Sequence, residues 1–270
     1  MNVRGHRFSG GMSLAVIVFL WAPLVVVVVN AFNGDELLVG WGGATLRWFH
    51  TALQDAEARD AFRQTLIVGV ASTVISISLA VTGAMWWRRA SPRARRWYQL
   101  VVLLNVILPE VVFASAMFLL FVRFGLPLGL PAVVIGHTVW NTAYAILIIQ
   151  ARISVLDPVL EEAAADLGAG RWETFRKVTV PGLLPGILVA ALLTFTFSFD
   201  DVVTSYFMAG SSVNTLPLEL LGLIRFRIGP EVNAIGTVAM LVTAGTALIG
   251  YMIASRMNRG RREALPLGFR

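Results

Sequence analysis

Thr65-Leu-Ile-Val-Gly-Val-Ala-Ser-Thr-Val-Ile-Ser-Ile-Ser-Leu-Ala-Val-Thr-Gly-Ala-Met-Trp-Trp87 carries no charged side chain, and Arg88 and Arg89 follow it at once. A helix needs roughly 20 residues to cross a ~30 Å hydrocarbon core, and this run supplies them. Ser72, Ser76, Ala80 and Ala84 recur every four residues, so small side chains line one helix face where a neighbouring backbone can come close. Packing is the only role the stripe needs. Five further runs have comparable length: Met12–Ala31, Tyr98–Val122, Ala132–Gln150, Leu183–Tyr206 and Ala234–Ser255. They are too long for barrel strands, and in lipid their backbone groups must be bonded within the segment. The fold class is therefore an all-α membrane protein with six transmembrane helices.

Composition agrees. Of the 270 residues 57% are hydrophobic and 14% charged, and the mean hydropathy is +0.73. Without cysteine the chain has no disulfide, thiolate metal site or cysteine nucleophile, and His6, His50 and His137 are too scattered for a metal centre. The net charge of +6 does not mark nucleic-acid binding. With the N-terminus cytoplasmic, 16 of the 22 basic residues fall in inside segments, among them Arg88, Arg89, Arg93, Arg95 and Arg96 after the second span. Both termini are thus expected in the cytoplasm. The only lysine, Lys177, precedes Val178, so no Gly-x-x-x-x-Gly-Lys-Ser/Thr phosphate loop is present.

The expected organisation is a first segment, 1–61, holding the first span and an external connection. A transmembrane core follows over 62–256 with a cytoplasmic loop at 153–181, then a basic tail at 257–270. The first span exceeds the length of a signal-peptide core and is expected to stay in the chain. Phe32–Arg63, with Trp41, Trp48 and Phe49, reads as a partly helical interfacial connection. No internal repeat supports the inverted-repeat architecture of secondary transporters.

The loop between the fourth and fifth spans reads Ser154-Val-Leu-Asp-Pro-Val-Leu-Glu-Glu-Ala-Ala-Ala-Asp-Leu-Gly-Ala-Gly-Arg-Trp-Glu-Thr-Phe-Arg-Lys-Val-Thr-Val-Pro181. Asp157 suits an N-cap, Pro158 a first helical position and Gly168 a helix end. Leu160, Ala163, Ala164 and Leu167 share one face, with Glu161, Glu162, Ala165 and Asp166 opposite. A second short helix over Arg171–Val178 is expected to stop at Pro181. Such a helix–turn–helix is either a solvated connector or a docking element for another protein.

Glu162-Ala163-Ala164, three residues, Gly168, nine residues and Val178-Thr179-Val180-Pro181 resemble the EAA motif of ABC-importer permeases. The resemblance implies the type I permease fold, and a coupling helix built from Glu162, Ala163, Ala164 and Gly168. It implies as partners a homologous second permease, a cytoplasmic ATPase dimer that holds the ATP and Mg, and an external binding protein. The chain itself would carry no cofactor or catalytic residue. Phe199-Asp200-Asp201-Val202-Val203-Thr204-Ser205, Thr215-Leu216-Pro217-Leu218 and Gly229-Pro230-Glu231-Val232-Asn233-Ala234 are similar to the spermidine/putrescine permeases of the PotC type. This implies polyamines as the solute, a polyamine-binding external partner and a bacterial inner membrane location.

Ionisable groups inside a span cost about 2.5–3.5 kcal/mol each on insertion scales, so they mark functional sites. Glu110 would lie ~18 Å along the third span, near mid-membrane, and Asp200 and Asp201 ~26 Å along the fifth, near its outer end. No Arg or Lys stands inside a span, and acids without basic partners attract cations. The other reading leaves Glu110 protonated or bonded to backbone at Pro109, and makes Asp200 and Asp201 helix caps. His137, Asn141 and Tyr144, at i, i+4 and i+7, either line the same path or bond across to a neighbouring helix. Trp140, Phe199, Tyr206 and Phe207 are candidate cation–π partners. Two alternatives stand beside polyamine import: an ABC permease for another solute, such as an aminophosphonate or iron complex, and a self-sufficient channel or secondary transporter.

Overall fold

The computed structural model describes residues 3–226 and 229–263. Arg227 and residues 264–270 of the basic tail lie outside them. The described residues form α1 (Val3–Ala31), α2 (Arg47–Gln54), α3 (Ala56–Arg89), α4 (Pro92–Ile107), α5 (Glu110–Arg123), α6 (Leu130–Ile153), α7 (Val159–Asp166) and α8 (Arg171–Thr174). A π-helical turn, Phe175–Thr179, then leads into α9 (Val180–Asp200), α10 (Val203–Met208), α11 (Leu216–Phe226) and α12 (Pro230–Glu263). A single isolated antiparallel bridge joins Asn33 to Ala44 among them.

Among the described residues five stretches are long and apolar enough to cross a membrane: Gly11–Ala31, Ala56–Arg89, Leu130–Ile153, Arg171–Asp200 and Pro230–Ile253. The expected third span departs from a straight helix. It is the pair α4 and α5, bent by 106° at Leu108-Pro109. Proline removes an N–H and pushes the residue before it out of helical geometry, and Leu108 (φ −60°, ψ 135°) and Pro109 (φ −59°, ψ 133°) are both extended. The fifth span ends at Asp200, short of the expected Tyr206, because Asp201 (φ −70°, ψ 118°) breaks the helix and its carboxylate caps the next one.

Pro181 does not stop the loop's second helix either. The backbone widens over Phe175–Thr179, where Val180 N–H donates to Phe175 O, and runs on into α9. A wider turn takes the proline ring without the clash that ordinary helix geometry would impose on the carbonyl four residues back.

The chain divides into two compact units. The first comprises the described residues of Met1–Ala61 and Glu219–Val242. Ala31, Trp48 and Ala234 form its buried core, with Phe32 and Phe49 against them. Side chains 11–26 of α1 are exposed, as on a helix that is apolar all round. Beyond α1 the loop is tied by its own polar groups: Trp48 Nε1 donates to Asn33 O at 2.7 Å, and Asn33 Oδ1 accepts from Asp35 and Gly42. The N–H groups of Gly40, Leu37 and Val39 hold the Asp35 carboxyl below the usual carboxylate range.

The second unit comprises Phe62–Leu218 and the described residues from Thr243 on. Helix α6 runs through its two cores. One gathers Ala80, Ala84, Val102, Ile149, Leu183 and Ala190, and the other Val68, Phe121, Val133 and Met208. The small-residue stripe packs as expected, with Ser72, Ser76, Ala80 and Ala84 all fully buried. Ser76 Oγ also donates to Thr138 O at 3.2 Å, and Arg152 Nε to Gly182 O at 2.9 Å, tying α3 and α9 to α6. Glycine permits the close approach of α6 to α10: a Cβ on Gly136 would lie 2.6 Å from Thr204 Cγ2.

Candidate functional site

The break after Asp200 and the bend at Leu108-Pro109 converge on one cavity of about 530 Å³ in the second unit. Its lining is Glu110, Trp140, Tyr144, Thr196, Phe197, Asp200, Asp201, Val202 and Val203. Glu110 opens α5 at the bend, so the corner that moves it out of a straight mid-membrane helix also brings it to the end of α9. Its side chain reaches that of Asp201. Two carboxyl groups in contact repel unless a proton or another cation lies between them. Asp201 Oδ1 accepts Thr204 N–H at 2.8 Å, and Thr243 Oγ1 donates to Asp200 Oδ1 at 3.2 Å. No Arg or Lys stands among the described residues that line the cavity.

An aromatic wall faces these acids. The rings of Trp140 and Tyr144 are 5.9 Å apart, those of Tyr144 and Phe197 5.2 Å, and Phe113 supports Trp140 from behind at 5.1 Å. Carboxylates together with ring faces form an environment for organic ammonium groups, through charge and cation–π attraction.

The polar stripe on α6 is divided between two directions. Tyr144 lines the cavity. His137 and Asn141 are buried at 1% exposure and turn towards α9, where Asn141 Nδ2 donates to Thr194 O at 3.4 Å. His137 Nδ1 lies 2.6 Å from Ser198 Oγ, and its Nε2 lies 3.0 Å from Ser205 Oγ and 3.5 Å from Asp201 Oδ2. Of the aromatic candidates only Trp140 reaches the cavity. Phe199 is buried against Phe62 and Phe195, Phe207 packs on Phe118, and Tyr206 is exposed. Phe197 and Thr196 were not expected in the lining; Phe197 stands one helical turn before Asp201, the only trace of it in the sequence.

The loop at 153–181 forms a second feature. Asp157 Oδ1 accepts Val159 N–H at 3.0 Å, and Pro158 already has helical angles, so the expected start of α7 is realised. At its end Gly168 takes φ +84°, Gly168 N–H donates to Ala165 O at 2.9 Å and Ala169 N–H to Ala164 O at 3.0 Å. That pairing satisfies the last carbonyls and needs a residue free to adopt a left-handed backbone. Glu162 and Ala163 are exposed, Ala164 is half-buried, and Leu160, Leu167 and Trp172 stand 57%, 89% and 72% exposed.

Glu161, by contrast, turns inward against the helical-wheel expectation. It pairs with the Arg88 guanidinium at the end of α3 and accepts from Thr179 Oγ1 at 2.8 Å. Burial would raise its carboxyl, but the hydrogen bonds from Arg88 and Thr179 and the charges of Arg88 and Arg89 outweigh it and hold the group below its usual value. Arg95 donates to the carbonyls of Trp87 and Arg88, closing the end of the same helix. The loop is thus fastened by its acid to the end of α3 and to the π-helical turn that leads into α9, leaving its leucines outward.

A multi-pass helical chain with an apolar-faced loop between spans and a cavity of acids defines a transport permease. The chain belongs to the family described as "binding-protein-dependent transport system inner membrane component", whose model matches residues 72–263. It is 26% identical to the spermidine/putrescine transport system permease protein PotC of Escherichia coli (strain K12), covering 95% of this chain and 97% of that one. It is 30% identical to the putrescine transport system permease protein PotI of the same organism, over 92% and 89%. In fold it resembles a chain of a bacterial ABC transporter involved in the import of the acidic polysaccharide alginate, with TM-score 0.69 and 18% identity over 94% of this chain and 97% of that one. A structure of the alginate transporter with its pentasaccharide-bound periplasmic protein matches with TM-score 0.65 and 19% identity over 95% and 96%. The chain is an inner-membrane permease of the ABC-importer class.

Proposed function

We propose that this permease imports polyamines such as putrescine and spermidine, and forms one half of a translocation path with a homologous partner permease. Both termini lie in the cytoplasm, where positive residues concentrate. The loop at 153–181 docks on a cytoplasmic ATPase dimer through the coupling element of Glu162, Ala163, Ala164 and Gly168, with the exposed Leu160 and Leu167 beside it, and ATP and its magnesium are bound by that partner. An external polyamine-binding protein delivers the substrate.

The observation that carries the reading is the cavity in which Glu110, Asp200 and Asp201 meet Trp140, Tyr144 and Phe197 without a basic residue in its lining. A linear polycation with apolar methylene stems matches carboxylates set beside ring faces. The same lining disfavours an anionic solute such as an aminophosphonate. The names of the relatives PotC and PotI support the same class.

The test is ATP-dependent uptake of radiolabelled putrescine and spermidine into vesicles holding the whole complex, for wild type, Asp201→Asn and Glu162→Ala. Wild-type uptake that weakens in Asp201→Asn and is lost in Glu162→Ala supports the cation path and the coupling loop. Absence of polyamine uptake in wild type with the ATPase still bound removes polyamines as substrates and keeps the permease class. Uptake by the chain alone, with no ATPase, overturns the coupled mechanism in favour of a stand-alone transporter.

A further inference from the structure

Behind the cavity a line of hydrogen-bonding side chains crosses the second unit from helix to helix. Ser72 Oγ of α3 donates to Ser198 Oγ of α9 at 3.0 Å, and Ser198 Oγ lies 2.6 Å from His137 Nδ1 of α6. The far side of the ring meets Ser205 Oγ of α10 at 3.0 Å and Asp201 Oδ2 at 3.5 Å. Ser72, Ser198, His137 and Ser205 are each at most 3% exposed. None of the four lines the cavity, and Asp201 is the one member that does.

The direction of the line follows from its end. With Asp201 ionised its oxygens only accept, and the proton of a neutral imidazole then belongs on Nε2, where Asp201 and Ser205 are. Nδ1 then accepts from Ser198, which in turn accepts from Ser72, whose hydroxyl also lies 3.3 Å from Gly69 O, and the Nε2 proton is shared between Ser205 Oγ and Asp201 Oδ2. The reverse direction would set the Nε2 lone pair against Asp201 Oδ2. Asp201 is therefore met from two sides, by the Thr204 N–H that donates to Oδ1 at 2.8 Å and by the imidazole 3.5 Å from Oδ2, with its remaining face towards Glu110 and the cavity.

We infer that His137 is a positioning residue of the cation site: from outside the cavity it fixes the carboxylate of Asp201, and thereby sets how tightly the membrane complex holds an organic diamine or triamine. The inference deepens the polyamine reading and rests on it for the identity of the ligand. Two amide replacements separate the two sides of the ring. Gln places its amide nitrogen near the position of Nε2 and keeps the link to Asp201, whereas Asn reaches only as far as Nδ1 and keeps only the link to Ser198.

The experiment uses the assembled membrane complex without its external binding protein, so that affinity reports the membrane site. Radiolabelled spermidine binding at equilibrium is measured for wild type, His137→Gln and His137→Asn. In parallel, labelling of Asp201 by a hydrophobic carbodiimide is followed by peptide mass, with Glu110 as the internal reference. Loss of the Nε2 donor beside Asp201 predicts roughly tenfold weaker spermidine binding in His137→Asn, with His137→Gln within about threefold of wild type. Labelling of Asp201 relative to Glu110 should change in His137→Asn and stay near wild type in His137→Gln. A His137→Asn protein with wild-type affinity and wild-type labelling overturns the inference, as does equal loss in both variants, which marks a packing role. If wild type binds no spermidine, the polyamine reading fails, and the labelling ratio alone decides: changed in Asn but not in Gln supports the positioning role, unchanged in both refutes it.

Discussion

Gly136→Ala is the sharpest single perturbation of the packing that brings α6 to α10. The added Cβ would stand 2.6 Å from Thr204 Cγ2 and 3.4 Å from Met208 Cγ. Thr204 Cγ2 sits on a β-branched side chain, is buried, and has little rotamer freedom to yield. Relief requires α10 to retreat by roughly 0.8 Å to reach ordinary contact, which is overpacking of the kind that costs about 1–3 kcal/mol. Alanine returns about 1 kcal/mol through its better helix propensity, so the net loss is of order 1 kcal/mol. In a chain of this size that lowers the unfolding midpoint by roughly 2–4 °C. The same retreat stretches the 3.0 Å contact between His137 Nε2 and Ser205 Oγ beyond hydrogen-bond reach. Thermal unfolding of the assembled complex in detergent measures the first effect and spermidine binding the second. Thr204→Ser removes Cγ2 while keeping the backbone N–H that Asp201 uses, so the double variant should recover both. A Gly136→Ala protein with wild-type midpoint, or a double variant no better than the single, would refute the close-packing argument.

Three further outcomes are expected. Gly168→Ala forces a side chain into φ +84°, costing about 1 kcal/mol locally, and should reduce retention of the ATPase on affinity-purified permease; undiminished retention counts against a fixed loop end. Leu167→Glu, at a side chain 89% exposed, should leave the permease's own unfolding midpoint unchanged within about 0.5 kcal/mol while abolishing co-purification of the ATPase, and a stable variant that still binds it would remove Leu167 from the docking face. Because the folded-state Glu161 carboxyl is held below its ordinary 4.5, its pair with Arg88 stabilises fully above that value and is lost as pH falls through the lowered one. The wild-type advantage over Glu161→Gln, about 1 kcal/mol, should therefore be constant near neutrality and vanish in acid; an advantage that persists there would show the pair is not its source.

Element identity was legible in the sequence because an apolar run without charges has one stable form in lipid. What was not legible was where those runs break. Pro109 stands in the third span as a residue that breaks helices, but nothing local fixes the angle of the bend, which depends on how α5 packs on α6 and α10. Asp201 left a fainter mark. No Gly or Pro stands at the end of α9, and the break depends on an aspartate that caps a helix inside an apolar stretch. The acids of the site were found from their cost in lipid, whereas the wall of Tyr144 and Phe197 needs two helices to be placed side by side before it exists. For the loop, the wheel grouped Glu161 with the solvent-facing acids. Its partners Arg88 and Thr179 come from elements distant in sequence, and periodicity carries no information about them.

The wide turn at Phe175–Thr179 has a consequence for how this chain can vary in length. In an ordinary helix each residue advances the chain by about 100°, so losing one rotates everything beyond it away from its partners. A π-helical turn holds one residue more than its neighbours need, and dropping that residue closes it to ordinary helix while α8 and α9 keep their facing. Pro181 opposes this here, since a closed turn would bring its ring towards a carbonyl of the preceding turn, at a cost of about 3 kcal/mol. The surplus residue and the proline therefore favour one another: removing one residue at this point should cost less in a Pro181→Ala background than in the wild-type chain.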